Sequence, residues 1–128
     1  MKRKKHFVLI DDDIMTSRIH QSIIRKQHAE KELVLFEHAG IAFDYIRHNL
    51  PDLIFLDLHM PIVDGLQFLK LMDDHKICAD VIVVSSSTDP DERSLLKSYD
   101  FVRGFITKPL TAEKLKMMLE RTEKYSEI

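Results

Sequence analysis

Short apolar runs alternate with stretches of helical spacing along this chain. The runs lie at residues 7–10, 33–36, 53–56, 81–84 and 102–107. They are too short for typical helices and most lack the polar alternation of a half-exposed strand, which favours strands buried on both faces. The polar residues and prolines that follow the runs mark their ends. The pattern therefore predicts five strands, and the run at 53–56 is expected to be covered on both faces.

Apolar residues at helical spacing fill the stretches between the runs. In the first stretch Asp13 is a suitable N-cap, and the apolar residues Met15, Ile19 and Ile23, with Ile24 beside them, recur at helical spacing. The other helices are expected at about residues 40–47, after Asp64-Gly65, after Asp89-Pro90, and from Thr111 to about residue 125. Strands alternating with helices predict right-handed crossovers and a parallel α/β sheet with helices on both faces.

Composition narrows the functional classes. A chain of 128 residues suits one domain, and a formal charge of −2 gives no reason to expect nucleic acid as a partner. We expect no membrane span and no signal peptide, since no apolar stretch approaches 18 residues. Cys78 is the single cysteine, which suits a reducing cytoplasm, and we expect it to be a small buried hydrophobe.

Five of the seven histidines show no shared metal spacing and are expected on the surface. They are His20, His28, His38, His48 and His75. Of the other two, His59 is of interest because it follows an acidic strand end by two residues.

Chemically useful side chains follow four of the predicted strands: Asp11 and Asp12, Asp57, Ser85, and Lys108. In a sheet of order 2-1-3-4-5, strands one and three flank the switch point where ligands bind. Three close carboxylates repel one another, and a divalent cation such as Mg²⁺ relieves that repulsion. With Lys108 as a fixed positive charge, the set favours phosphoryl transfer onto a carboxylate. Each residue alone is also explained by helix capping, a turn or a solvated lysine.

Four motifs together resemble the receiver domain of two-component response regulators, in particular stand-alone, chemotaxis-regulator-like members. They are Leu9-Ile10-Asp11-Asp12-Asp13, Leu56-Asp57-Leu58-His59-Met60-Pro61 with Asp64-Gly65, Val84-Ser85, and Lys108-Pro109. The resemblance implies a flavodoxin-like (βα)5 fold over residues 1–128, without an output domain. It also implies that a sensor histidine kinase or a histidine phosphotransfer protein phosphorylates Asp57.

The resemblance also implies residue roles. Asp11, Asp12 and Asp57, with the backbone carbonyl of His59, are expected to hold Mg²⁺. Ser85 is expected to be the switch hydroxyl.

Near the end of the chain, Lys108 is expected to bind phosphate, and the bond before Pro109 is expected to be cis. Phe105 is expected to be the switch aromatic, although as Phe it has no phenol to donate a hydrogen bond. A downstream protein is expected to bind the surface of helix four, strand five and helix five.

On this interpretation the protein is not an enzyme acting on an external substrate. It catalyses only its own phosphorylation and dephosphorylation in the cytoplasm, without contacting nucleic acid directly. The alternative is a haloacid-dehalogenase-like phosphohydrolase. Its Asp-x-Asp-x-Thr/Val motif is matched by Asp11 and Asp13 but not by Met15. A degenerate receiver without phosphorylation is disfavoured by the intact acids, Ser85 and Lys108.

Overall fold

Ten elements alternate along the chain in the computed structural model, which describes residues 5–28 and 32–121. In order they are β1 (His6–Ile10), α1 (Ile14–Gln27), β2 (Glu32–Phe36), α2 (Ala39–His48), β3 (Leu53–Leu56), α3 (Gly65–Asp74), β4 (Asp80–Ser85), α4 (Pro90–Leu96), β5 (Val102–Thr107) and α5 (Ala112–Arg121). All strand pairs are parallel, and the sheet order is β2-β1-β3-β4-β5. The predicted flavodoxin-like architecture is therefore confirmed.

The sheet has a separate apolar core on each face. Val8 and Ile10 belong to the core that contains α2, α3 and Leu96 of α4. Phe7 and Leu9 point the other way, into the core formed with α1 and α5. Alternate residues of β1 thus meet different helices, which explains why its sequence is apolar without interruption from Phe7 to Ile10.

Gly104 is unusual within β5 because glycine adds no side chain to a strand's packing. A Cβ atom at Gly104 would collide with the side chain of Met118 in α5. The thioether of Met118 occupies that space, so the glycine allows close approach of helix and strand.

Only part of the apolar repeat of α1 is buried. Met15 is 74 % exposed and Ile19 is 58 % exposed, whereas Ser17, His20 and Ile24 are buried. The rotation of the helix is set at its start, where Asp13 caps the first turn and the Ser17 hydroxyl donates to the Asp11 carbonyl at 3.2 Å. The polar anchoring at β1 therefore outweighs the apolar periodicity.

Three predictions about burial are wrong. His20 and His28 are 2 % and 9 % exposed, not surface residues. The ring of His28 packs edge-on against Phe7, with centroids 6.1 Å apart. Cys78 is exposed, because β4 begins two residues later at Asp80. The predicted end of the last helix near residue 125 lies outside the described residues.

Candidate functional site

The ends of β1 and β3 bring two acids together. Ile10 pairs with Leu56 across the two strands, and the backbone N–H of Asp57 donates to the Ile10 carbonyl at 3.0 Å. Asp11 and Asp57 therefore follow paired residues of neighbouring strands. This is the edge at which open α/β sheets bind ligands.

Three carboxylates form the centre of the site. Asp11, Asp12 and Asp57 each offer an oxygen, and these oxygens all lie within 4.8 Å of one another. Asp11 and Asp57 are buried, while Asp12 is exposed to solvent. An all-oxygen set of this kind is what Mg²⁺ prefers, and the exposed side leaves room for its waters.

Lys108 joins the two buried acids. Its Nζ donates to Asp11 Oδ2 at 2.9 Å and lies 3.4 Å from Asp57 Oδ2. Burial raises the pKa of Asp57, Lys108 opposes the rise, and the Asp11 charge adds to it. Burial alone would lower the pKa of Lys108, but the hydrogen bond and charge of Asp11, followed by Asp57, outweigh burial and raise it. The lysine therefore stays charged and partly compensates the clustered carboxylates.

Asp13 is not a member of this cluster. Its Oδ1 accepts from the backbone N–H groups of Met15 at 3.0 Å and Thr16 at 3.2 Å. The hydrogen bond from the Thr16 backbone, the largest contribution, lowers the pKa of the Asp13 carboxyl. The second acid of the proposed phosphohydrolase motif is thus a helix cap.

Ser85 ends β4 and is almost fully buried. Its hydroxyl oxygen accepts from the backbone N–H of Ser87 at 3.2 Å, and its carbonyl accepts from the Lys108 backbone at 3.0 Å. The Lys108-Pro109 bond is cis, as the family resemblance implies. The Ser85 hydroxyl is thus held by the β4–α4 loop at the site's edge.

Phe105 is half-buried on β5 and is covered by an arginine. The guanidinium carbon of Arg93 in α4 lies 3.9 Å from the centre of the Phe105 ring, within the range of a cation–π contact. Arg93 Nη2 also donates to Thr107 Oγ1 at 3.2 Å. The expected switch aromatic is therefore packed under an α4 side chain.

The loop from β3 to α3 closes tightly beside the acids. The Gly65 N–H donates to the Leu58 carbonyl at 2.7 Å. A Cβ on Gly65 would lie 2.5 Å from the Asp57 carbonyl oxygen, so no larger residue fits without movement. Glycine at this position lets the loop return to the strand end that carries Asp57.

The side chain of His59 points away from the acids. Its Nε2 lies 3.0 and 3.1 Å from the two carboxylate oxygens of Glu92, while its backbone N–H is 3.5 Å from Asp57 Oδ1. Glu92 also accepts from the Ser87 hydroxyl. Hydrogen bonds from Ser87 and then His59 lower the pKa of Glu92. Sequence reasoning missed Glu92, Ser87 and Arg93, because spacing carries no signal for contacts between distant loops.

Comparison with known proteins agrees with this geometry. The sequence profile of the response regulator receiver domain matches residues 7–120. The chain belongs to this family. The probable C4-dicarboxylate response regulator DctR of Bacillus subtilis is 30% identical over 128 residues, covering 99% of this chain and 56% of that protein. The response regulator Rcp1 of a Synechocystis species is 26% identical, covering 94% of this chain and 88% of that protein.

A solved two-component response regulator from Cytophaga hutchinsonii superposes with a TM-score of 0.83 and is 26% identical. The match covers 96% of this chain and 99% of that one. Compared with DctR, the receiver described here spans about half of the relative's length. The comparisons lend no support to the phosphohydrolase alternative.

Receiver domains of this family accept phosphoryl groups from histidine kinases or phosphotransfer proteins and bind Mg²⁺. Within residues 5–28 and 32–121, no helix is both long and apolar enough to cross a membrane.

Proposed function

We propose that this receiver takes a phosphoryl group from a phosphohistidine donor in the cytoplasm onto Asp57 and thereby switches a protein-binding surface. The observation that carries the proposal is the cluster itself: three carboxylates within 4.8 Å, with Lys108 bridging two of them. A half-buried lysine between two strand-end acids provides positive charge where an anionic group would arrive.

The acids also suit a divalent cation. Asp11, Asp12 and Asp57, together with the backbone carbonyl of His59, would hold Mg²⁺, which neutralises charge on the transferring oxygens when bound. Repulsion among the acids favours the cation, while the small number of protein ligands keeps the affinity modest.

Transfer requires an ionised Asp57. One of its oxygens forms the bond to phosphorus as the bond from phosphorus to the donor histidine nitrogen breaks, and that nitrogen keeps the electron pair. Lys108 pairs with the oxygens of the phosphoryl group and holds Asp11 beside it. In dephosphorylation the oxygen of a water molecule bonds to phosphorus as the bond from phosphorus to the Asp57 oxygen breaks. Asp57 leaves as carboxylate, and the protons of the water stay with the released phosphate.

The phosphoryl group brings strong hydrogen-bond acceptors close to Ser85. For its hydroxyl to donate to them, Ser85 must move toward the phosphoryl oxygens, and this movement takes its Oγ away from the Ser87 backbone N–H that it accepts from. Phe105 then turns into the space behind Ser85 and leaves Arg93. The change shifts an equilibrium between two packings already available to the chain.

The switched surface lies on α4, β5 and α5. A cleft of about 280 Å³ between α4 and β5 is lined by Arg93, Leu96 and Phe105, among others. Movement of Phe105 changes the wall of this cleft. We expect a downstream protein to recognise that change.

A Mg²⁺ titration tests the metal site. Asp12→Ala should lower the affinity for Mg²⁺ on the order of tenfold or more, since the loss of a residue that only hydrogen-bonds to a metal ligand already has an effect of that size. The control is Asp44→Ala, which removes an exposed acid from α2. Unchanged Mg²⁺ affinity in Asp12→Ala, measured by calorimetry, would contradict the assignment.

The switch is tested by amide NMR with beryllium fluoride as the phosphate mimic. In wild type the largest shifts beyond the acids should fall on the β4–α4 loop, α4 and β5. Ser85→Ala should still bind the mimic but leave the region of Phe105 nearly unchanged. Equal responses in Ser85→Ala and wild type, or shifts concentrated on α1 and α2, would exclude this route.

A further inference from the structure

Glu92 connects the loop that begins at the phosphoacceptor Asp57 with the loop that follows Ser85. Its carboxylate oxygens lie 3.0 and 3.1 Å from His59 Nε2, although the two residues are 33 positions apart. His59 follows Asp57 by two residues, and Glu92 lies in the first turn of α4. The contact therefore ties the β3–α3 loop to the start of α4.

The same carboxylate also holds the β4–α4 loop. The Ser87 hydroxyl donates to Glu92 Oε1 and accepts from the Asp89 backbone N–H at 3.2 Å. The Ser87 backbone N–H in turn donates to the Ser85 hydroxyl oxygen at 3.2 Å. A continuous series of hydrogen bonds thus runs from Ser85 to His59.

We propose that Glu92 is a positioning residue that stabilises the unphosphorylated arrangement by binding the Ser87 hydroxyl and the His59 ring at once. These contacts are called the Glu92 bridge below. The inference rests on the proposed function, because it concerns the Ser85 movement that phosphorylation requires. While the Glu92 bridge is intact, the backbone N–H of Ser87 continues to donate its hydrogen bond to the Ser85 hydroxyl oxygen.

The Glu92 bridge does not depend on the charge of His59. An ionised carboxylate only accepts hydrogen bonds, so His59 Nε2 must carry a hydrogen. That hydrogen is present both in the neutral ring protonated at Nε2 and in the cation.

The Glu92 bridge should affect the equilibrium between the two arrangements of the site and have little effect on the free energy of unfolding. The His59 side chain is 59% exposed and that of Glu92 is 21% exposed, and ion pairs at the surface contribute little to global stability. A small stabilisation of the unphosphorylated arrangement nevertheless lowers the apparent affinity for a ligand that binds the other arrangement, because the two arrangements are nearly equal in free energy.

Glu92→Ala should therefore bind beryllium fluoride with Mg²⁺ about threefold to tenfold more tightly than wild type. In this variant the hydrogen bonds of the Glu92 bridge no longer have to be broken when the ligand binds. The matched control is Asp91→Ala, which removes one exposed acid from the same helix turn. Glu92→Gln, which keeps an accepting oxygen, should fall between wild type and Glu92→Ala. The melting temperatures of the variants without ligand should agree closely.

A double-mutant cycle with His59→Ala separates the Glu92 bridge from a direct effect of His59 on the phosphate. Because one carboxylate serves both contacts, Glu92→Ala and the double variant should bind beryllium fluoride equally tightly. In the unliganded protein, Glu92→Ala should also shift the Ser87 amide signal, and Asp91→Ala should not.

Three results would overturn the inference. Equal affinity for beryllium fluoride in Glu92→Ala and Asp91→Ala would show that the Glu92 bridge has no effect on switching, and the proposed function would still stand. Additive effects of His59→Ala and Glu92→Ala would show that the two side chains act independently, so that they share no bridge. If wild type binds no beryllium fluoride and Asp57 accepts no phosphate, the proposed function fails and the inference fails with it.

Discussion

Ile62 occupies a backbone conformation that an isoleucine rarely adopts. Its φ is 69°, and the Val63 N–H donates to the Pro61 carbonyl at 2.8 Å across it, which makes a γ-turn with a positive central φ. The side chain is 94% exposed, so burial does not offset the strain. Ile62→Gly should therefore stabilise the protein.

The expected gain follows from two opposing terms. A left-handed conformation costs an L-residue about 1–2 kcal/mol, and glycine escapes this cost. Glycine also raises the conformational entropy of the unfolded chain, which lowers the free energy of unfolding by about 0.5–1 kcal/mol. The midpoints of these two ranges leave a net gain of about 0.75 kcal/mol. At about 2.1 cal/mol/K per residue, the unfolding entropy of this chain is about 0.27 kcal/mol/K, so Tm should rise by about 2–4 °C.

Thermal and urea unfolding without Mg²⁺ measure this gain. Ile62→Ala is the matched control, because it removes the same exposed side chain but keeps a Cβ at positive φ. It should gain less than Ile62→Gly. A glycine variant no more stable than the alanine variant would refute the strain at this turn.

Two further predictions concern buried positions near the site. Burial first, and then the charge of Lys108, lowers the pKa of His20. As the pH falls, the His20 ring therefore becomes protonated in the unfolded chain at a higher pH than in the folded protein. The stability of the wild type should fall as the pH drops below about 6.5. His20→Leu should flatten this slope in urea unfolding at pH 5 to 8, and an unchanged slope would contradict the assignment. Gly65→Ala should cost about 1–3 kcal/mol from the collision with the Asp57 carbonyl. Gly40→Ala, with nothing within 4 Å, should be neutral or stabilising, and a similar cost for both variants would count against a specific collision.

β1, β3 and β4 could be predicted because each carries an apolar run that ends at a polar residue, whereas Arg103 and Gly104 weaken this signal in β5. Their order predicts Asp11 beside Asp57, and the structure brings these acids together. Lys108 was expected near them from its position after the last strand. Buried parallel strands leave a strong sequence signal because both faces must be apolar.

The rotation of α1 and the contacts of Glu92 could not be predicted in the same way. Met15 and Ile19 satisfy helical periodicity as well as Ile24 does, so periodicity does not identify the buried face. That face is set by hydrogen bonds at Asp13 and Ser17. The pairing of Glu92 with His59 depends on how two loops lie in space, and no local pattern records it.

The most direct measurement of the central claim is the site of phosphorylation. The protein is incubated with Mg²⁺ and acetyl phosphate, and the modified residue is mapped by mass spectrometry. We expect one phosphoryl group, on Asp57, and none in Asp57→Asn with the fold intact by circular dichroism. Phosphate on Asp11, or modification that persists in Asp57→Asn, would contradict the proposed function.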